Sequence, residues 1–243
     1  MSAGRRRGLR VVLVLLLLLA VVVVAADRGA AWYAQQRLAE EAAAWATKVG
    51  APANEKPAVK VEGFPFLTQV LAGRYDGVSI TARNVGTGGL MASRLDVRLS
   101  TVHLALPDLV AGDLSKGRAE RVTATAYIPL SEFATALGPR GVKVRAEGNR
   151  LRIEVPFEIA GFKSTVASLA DVEVVHGRLK VRLSDLTAAG SELPQSVADA
   201  VAKQLNTLLD PPKLPYGLLL DRVVLTKDGL AATASGRNVA LKS

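Results

Sequence analysis

From Ala58 onward the chain alternates apolar and polar residues with a period of two. Val78, Ile80 and Ala82 alternate with Ser79, Thr81 and Arg83, and Leu95, Val97 and Leu99 with Arg94, Asp96 and Arg98. The same rhythm recurs over residues 122–128, 151–159 and 179–183. Each stretch predicts a strand with one buried and one wet face. That favours antiparallel sheet, because parallel strands are usually covered on both sides. Along residues 90–106 the apolar positions switch from odd (Leu95, Val97, Leu99) to even (Val102, Leu104, Leu106). Such a phase change predicts a β-bulge near Ser100-Thr101 and a bend in a long strand.

Helical signals are fewer. Residues 64–72 predict a short amphipathic helix ended by Gly73. Ser131 reads as the N-cap of a second short helix, stopped by Gly138-Pro139. Residues 194–209 make the best helix of the domain, with Val197, Val201, Leu205 and Leu208 on one stripe. Asp210-Pro211-Pro212 ends it. Asp228-Gly229 between apolar runs predicts a closing hairpin. The expected fold class is α+β, mostly antiparallel β: an elongated curved sheet packed around one long C-terminal helix.

The N-terminus has a different character. Arg5, Arg6, Arg7 and Arg10 precede an apolar run over residues 11–26, which Asp27 and Arg28 end. A charged segment followed by an apolar one is read by the export machinery. The flanking arginines keep the N-terminus cytoplasmic and the remainder outside. Small residues at Val24-Ala25-Ala26 and Ala30-Ala31 allow cleavage, while the length and Val/Leu content of the run favour a retained anchor, so both remain open. Helical spacing continues through Leu38, Ala42 and Trp45, with Trp32 and Tyr33 suited to a membrane interface or to packing on the domain. Residues 50–57 form a breaker-rich linker. The expected organisation is therefore 1–28 signal or anchor, 29–57 helix and linker, and 58–243 β-rich domain.

Composition narrows the function. With 243 residues the chain can bury a core without metal or disulfide, and it has no cysteine, which removes thiol nucleophiles and thiolate metal sites. The net charge is +9, of which the four N-terminal arginines supply four, leaving +5 for the remainder. A mildly basic domain beside a membrane favours anionic headgroups. Aromatics are only 5%, and no basic stripe is interleaved with them, which speaks against nucleic acid. His103 and His176 lie far apart without carboxylate or histidine partners at ligand spacing. Ser79, Ser93, Ser100 and Ser164 carry no elbow motif, and Asp76, Asp96, Asp113 and Asp171 are scattered. Gly86-Thr87-Gly88-Gly89 lacks a following helix and reads as a strand connection. No reaction, metal or cofactor is indicated. Apolar strand faces with few large aromatics can close into a dry core or leave an apolar groove for acyl chains.

Three stretches tilt that choice. Val61-Glu62-Gly63-Phe64-Pro65-Phe66-Leu67 leads through Gly73-Arg74-Tyr75-Asp76-Gly77 into a strand; Leu104-Ala105-Leu106-Pro107-Asp108-Leu109 comes next; Pro212-Lys213-Leu214-Pro215-Tyr216-Gly217-Leu218 lies near the end. With the arginine-flanked apolar run, this resembles the actinobacterial LmeA-like phospholipid-binding family, from about residue 30 onward. The resemblance implies a cell-envelope protein on the outer face of the cytoplasmic membrane or in the periplasm, and no catalytic motif. It implies binding of anionic phospholipid, phosphoinositides among them, and a role in lipomannan-type glycolipid synthesis. It also implies an architecture similar to tubular lipid-binding domains. The candidate lipid contacts are Phe64, Phe66, Leu67 and Arg74, with Val201 and Leu205 on the long helix. Phe64 and Phe66 either line a tunnel mouth or headgroup layer, or staple the short helix to the sheet. The alternative function is a non-catalytic tether that recruits envelope enzymes.

Overall fold

The computed structural model describes residues 3–48, 55–87, 90–111, 113–136, 141–159, 162–188, 191–192, 196, 199 and 214–241. Most of the expected helix over 194–209, including Val201 and Leu205, lies outside the described residues, as do linker residues 50–54 and Gly88-Gly89. The long helix of the described residues is N-terminal, not C-terminal: α1 (Ala3–Lys48) is continuous through the apolar run and beyond it. The run ends in helix-tolerant Asp27 and Arg28, and no proline intervenes before the helix stops, so nothing breaks the turn-to-turn hydrogen bonds.

The strands form two antiparallel sheets. β1 (Ala58–Glu62), β2 (Arg74–Thr87), β3 (Leu90–His103), β4 (Arg118–Pro129), β10 (Leu219–Leu225) and β11 (Gly229–Ala240) make the larger, in the order β1-β2-β3-β4-β11-β10. β5 (Lys143–Glu147), β6 (Arg150–Ile159), β7 (Phe162–Val175), β8 (Arg178–Ala188) and β9 (Ser191–Glu192) make the smaller, in chain order. Most pairings join consecutive strands, several through tight turns, while β4 pairs with the distant β11. His176 and Gly177 both adopt positive φ between Val175 and Arg178, a two-residue hairpin loop, which places His176 in a turn. Among the described residues, three short α-helices fill connections: α2 (Phe66–Ala72), α3 (Leu106–Ala111) and α4 (Leu130–Ala136). Hydrophobic patterning does not signal α3.

The phase change in β3 is real, but its cause is not a bulge. Leu99 and Val102 are both buried, yet the register between β3 and β4 is the same before and after Thr101. Thr101 instead has a φ of 48°, and Asn238 in β11, on the other side of β4, has a φ of 51°. A left-handed residue turns the strand without inserting one, so the pleat changes phase while the ladder does not slip. Both residues flank Glu120, and the break crosses three strands in a line.

Two apolar cores result. One gathers Phe133 of α4, Leu151, Ile153, Val181 and Leu183 of the smaller sheet, and Leu230 of β11. The other lies around the pleat break and gathers Ala31 of α1, Phe66 of α2, and Tyr75, Leu99, Val102 and Val122 of the larger sheet. α1 approaches through small residues; Ala31 and Ala39 are buried, and Ala30 and Ala34 pack at the margin. Alanine lets a helix lie close on a sheet at little side-chain entropy cost.

The β1–β2 connection depends on Gly63, whose φ is +91°. A Cβ there would run into the side chains of Asp76 and Gln69. Gly63→Ala is therefore expected to cost about 1–3 kcal/mol, from backbone strain plus displacement of Gln69. Gly148→Ala, also at positive φ but with open space around it, should cost less, near ~1 kcal/mol. Denaturant midpoints of the two variants check the ordering.

Candidate functional site

α2 begins without a local cap. Pro65 occupies its N-cap position and offers no side-chain acceptor, so the first amides of the helix need partners from elsewhere. Asp27 supplies one. Its Oδ1 accepts the Leu67 N–H at 2.7 Å, and the Phe66 amide also reaches this carboxylate. Its Oδ2 accepts from Arg28 at 2.6 Å. Asp27 is only 1% exposed, although it is the first charged residue after the apolar run. The Arg28 guanidinium then lies 4.9 Å from the centre of the Phe64 ring, a cation–π contact. α1 is thus tied to the segment that contains Phe64, Phe66 and Leu67.

That segment is fixed from within as well. Gln69, itself buried, accepts the Asp76 N–H at 2.9 Å and donates to the Pro65 carbonyl. Gly73 ends α2 in the left-handed region, its N–H bonding to the carbonyls of Gln69 and Val70. Beyond it, Leu104 N–H donates to the Gly73 carbonyl, which sets the start of the β3–β4 connection beside α2.

The candidate residues separate on this frame. Phe66 is 4% exposed and packs near Tyr75, ring centres 6.3 Å apart; it belongs to the core. Phe64 is 60% exposed. Leu67 and Leu71 share the outer face of α2, and Leu71 is 79% exposed. Leu106 and Val110 share the outer face of α3, and Val110 is 79% exposed. Arg74 is exposed at the start of β2, paired in register with His103 at the end of β3. The domain end thus carries an apolar rim with basic residues beside it. Sequence patterning does not single out Asp27, Arg28, Leu71 or Val110 as site residues. Asp27 and Arg28 read there only as the end of the apolar run; the uncapped start at Pro65 is the available signal that another element must reach it.

A second apolar surface lies on the larger sheet. Two cross-strand rows, Ile80–Val97–Ala124–Ala234 and Ala82–Leu95–Ala126–Ala232, face the same side. Ala82 and Ala234 are buried, and Ile80 and Val97 are half-buried at the margin of the core around Phe66, while Leu95, Ala124, Ala126 and Ala232 are only half-buried. The abundance of alanine makes this part of the face shallow. By contrast, the cleft between Leu151, Ala170 and Val172 of the smaller sheet and Val223, Val224 and Leu225 of β10 has a volume of about 150 Å³. That is the size that admits a benzene-like molecule, far too small for a diacyl lipid.

Polar side chains on the sheets form small local ion pairs and hydrogen bonds. Glu62 accepts from Ser79 at 2.7 Å and from Arg98 at 2.7 Å. Asp96 accepts from Thr81 at 3.0 Å and pairs with Arg94 at 2.9 Å. Arg150 pairs with Asp171 at 3.1 Å. Among the described residues no group of three or more His, Asp or Glu side chains is placed to hold a metal. His103 Nε2 lies 3.2 Å from Glu120 Oε1 at the pleat break. This hydrogen bond, with help from Thr101 and the Arg74 charge and against partial desolvation, holds the Glu120 carboxyl below its ordinary range.

Both carboxylates can be tested by substitution. Asp27→Ala removes the cap and should lower the melting temperature of the full chain by roughly 2–4 °C, with Asp27→Asn, which keeps an acceptor, falling between. Calorimetry of the three proteins checks the order. A carboxyl with a depressed pKa stabilises the fold at pH above its ordinary value, and the contribution is lost as pH falls through the depressed value. Glu120→Gln should therefore be slightly less stable than the parent at neutral pH. The difference should close as pH falls through and below the ordinary carboxylate range of about 4, as urea midpoints across pH would reveal.

No curated protein and no solved structure matches the chain. A family model described as LmeA-like phospholipid-binding matches residues 25–235, so the match starts at the end of the apolar run and takes in Asp27, α2 and both sheets. The chain belongs to the LmeA-like phospholipid-binding family.

Proposed function

We propose that this protein holds or shuttles an anionic phospholipid, with an acyl chain lying on the shallow apolar face of the larger sheet and the headgroup beside the basic domain end. Family membership supports lipid as the ligand. The observation that carries the placement is the pair of alanine-rich rows, mostly half-buried where a filled core would be closed. Apolar, shallow and few in polar groups, such a surface suits hydrocarbon and offers no chemistry to transform it. Arg74 and Arg118, both exposed at the same sheet end, supply the charge that favours an anionic headgroup. Phosphoinositide is the proposed preference. The proposed role is non-catalytic support of envelope glycolipid synthesis of the lipomannan type, with α1 keeping the protein at the outer face of the cytoplasmic membrane. Tethering of envelope enzymes is the competing role, and it requires no acyl chain on the sheet.

The test places the full chain in liposomes that contain an anionic phospholipid with a photoreactive group at its acyl terminus. Crosslinks are expected on β2, β3 and β4 peptides, and Ala126→Phe, which fills the face, should reduce them several-fold. Crosslinks confined to residues 11–26, unchanged by that substitution, would remove the sheet as the lipid site and favour the tether.

A further inference from the structure

The course of α1 determines where the domain stands relative to the membrane. Its apolar half, residues 13–24, is exposed throughout, and the helix over Leu13–Ala44 is long and apolar enough, by length and composition, to enter a bilayer. Its second half lies along the domain in a known direction. Asp27 meets the start of α2, and Glu40, further on, meets Lys56 at 3.4 Å, just ahead of β1. β1 then runs back toward α2. The end of the domain that carries α2 and α3 therefore points at the apolar half of α1, and the Lys56 end points away.

Three features of that end suit a lipid surface. Phe64, Leu67 and Leu71 of the α2 segment, with Leu106 and Val110 of α3, are exposed apolar side chains on neighbouring connections. Arg28, Arg74 and Arg118 lie at the same end, and Trp32 and Tyr33 stand exposed on α1 about 7–9 Å beyond Asp27. This is the distribution of an interfacial segment: apolar tips, aromatic rings at headgroup level and cations for anionic phosphate. The length of the run gives the same answer. Residues 11–26 extend about 24 Å at 1.5 Å per residue, against a hydrocarbon thickness of ~30 Å. A short span draws its flanks into the interface, and the flank here is clasped to Leu67 through a buried Asp27.

We infer that the α2–α3 end of the domain docks on the bilayer that α1 enters, with Phe64, Leu67, Leu71 and Val110 seated among the headgroups. The occupant is the lipid surface itself, because α1 and the Asp27–Leu67 bond fix this rim at the end of the apolar run. The inference does not depend on the larger sheet holding an acyl chain. It gives the domain one orientation: the rim down, and the β10–β11 turn at Lys227-Asp228 away from the membrane.

The chain has no cysteine, so single labels can be placed without other changes. The full chain is reconstituted in phosphatidylcholine liposomes with a fraction of phosphatidylglycerol. An environment-sensitive fluorophore is attached at Leu71→Cys, Val110→Cys or, for comparison, Asp228→Cys. The labels at 71 and 110 should be blue-shifted and quenched by a headgroup-region lipid quencher, while the label at 228 should behave as in water. Water-like emission at 71 and 110, equal to that at 228, would overturn the proposal. Adding Leu67→Asp and Leu71→Asp to the Val110→Cys protein should abolish quenching at 110 while the protein still floats with the liposomes. Quenching that survives both substitutions would equally overturn it. Neither result bears on crosslinking to β2–β4, so the two accounts fail separately.

Discussion

A carboxylate withdrawn from water at the end of an apolar run must find hydrogen bonds, and in this protein Asp27 finds them at the start of α2. The bond to the Leu67 amide at 2.7 Å serves both partners. It satisfies a buried charge that would otherwise be costly, and it caps a helix whose own sequence provides only proline. Because Arg28 neutralises the second oxygen and then covers Phe64, the whole β1–β2 connection takes its position from α1. The core around Ala31, Phe66 and Tyr75 assembles behind that contact. The N-terminal helix and the sheet domain are thereby joined through this contact.

The sheet adapts to this arrangement. Its pleat changes phase at Thr101 and Asn238, so that Leu99 and Val122 face the core on one side of the break and Val102, Ala119 and Val239 do so beyond it. Left-handed residues achieve this without a slip in register, which keeps the alternation of the remaining strands intact. Large side chains are concentrated near α2 and near α4, while alanines line the middle of the larger sheet. Two filled cores flank a shallow stretch, which is where the proposed acyl chain would lie.

Much of this was legible in the residues. Period-two patterning located the strands, Gly73 the end of α2, and Asp228-Gly229 the last hairpin, because each signal is local: alternation, a left-handed cap, a tight turn. The family was legible in the Gly-Phe-Pro-Phe segment and the motifs after it. The bulge expected at Ser100-Thr101 was half right: phase is written in the sequence, but whether it changes by insertion or by a left-handed residue is decided by the neighbouring ladders. The division into two sheets was hidden for the same reason, since strand order depends on long-range pairing. Among the described residues the long helix is N-terminal, not C-terminal, since residues 11–26 continue without a break into residues 29–34 and beyond, and the hydrophobicity of a run does not fix where its helix stops. The split between buried Phe66 and exposed Phe64 is likewise a matter of which side α1 occupies.

If Asp27 couples the N-terminal helix to the domain end, amide hydrogen exchange of the full chain in liposomes registers that coupling at a single position. The Leu67 amide should be strongly protected in the parent and lose that protection in Asp27→Ala, while amides in β6 and β7 remain unchanged. Equal protection of Leu67 in both proteins would mean that the helix and the domain end are held together by something other than this carboxylate.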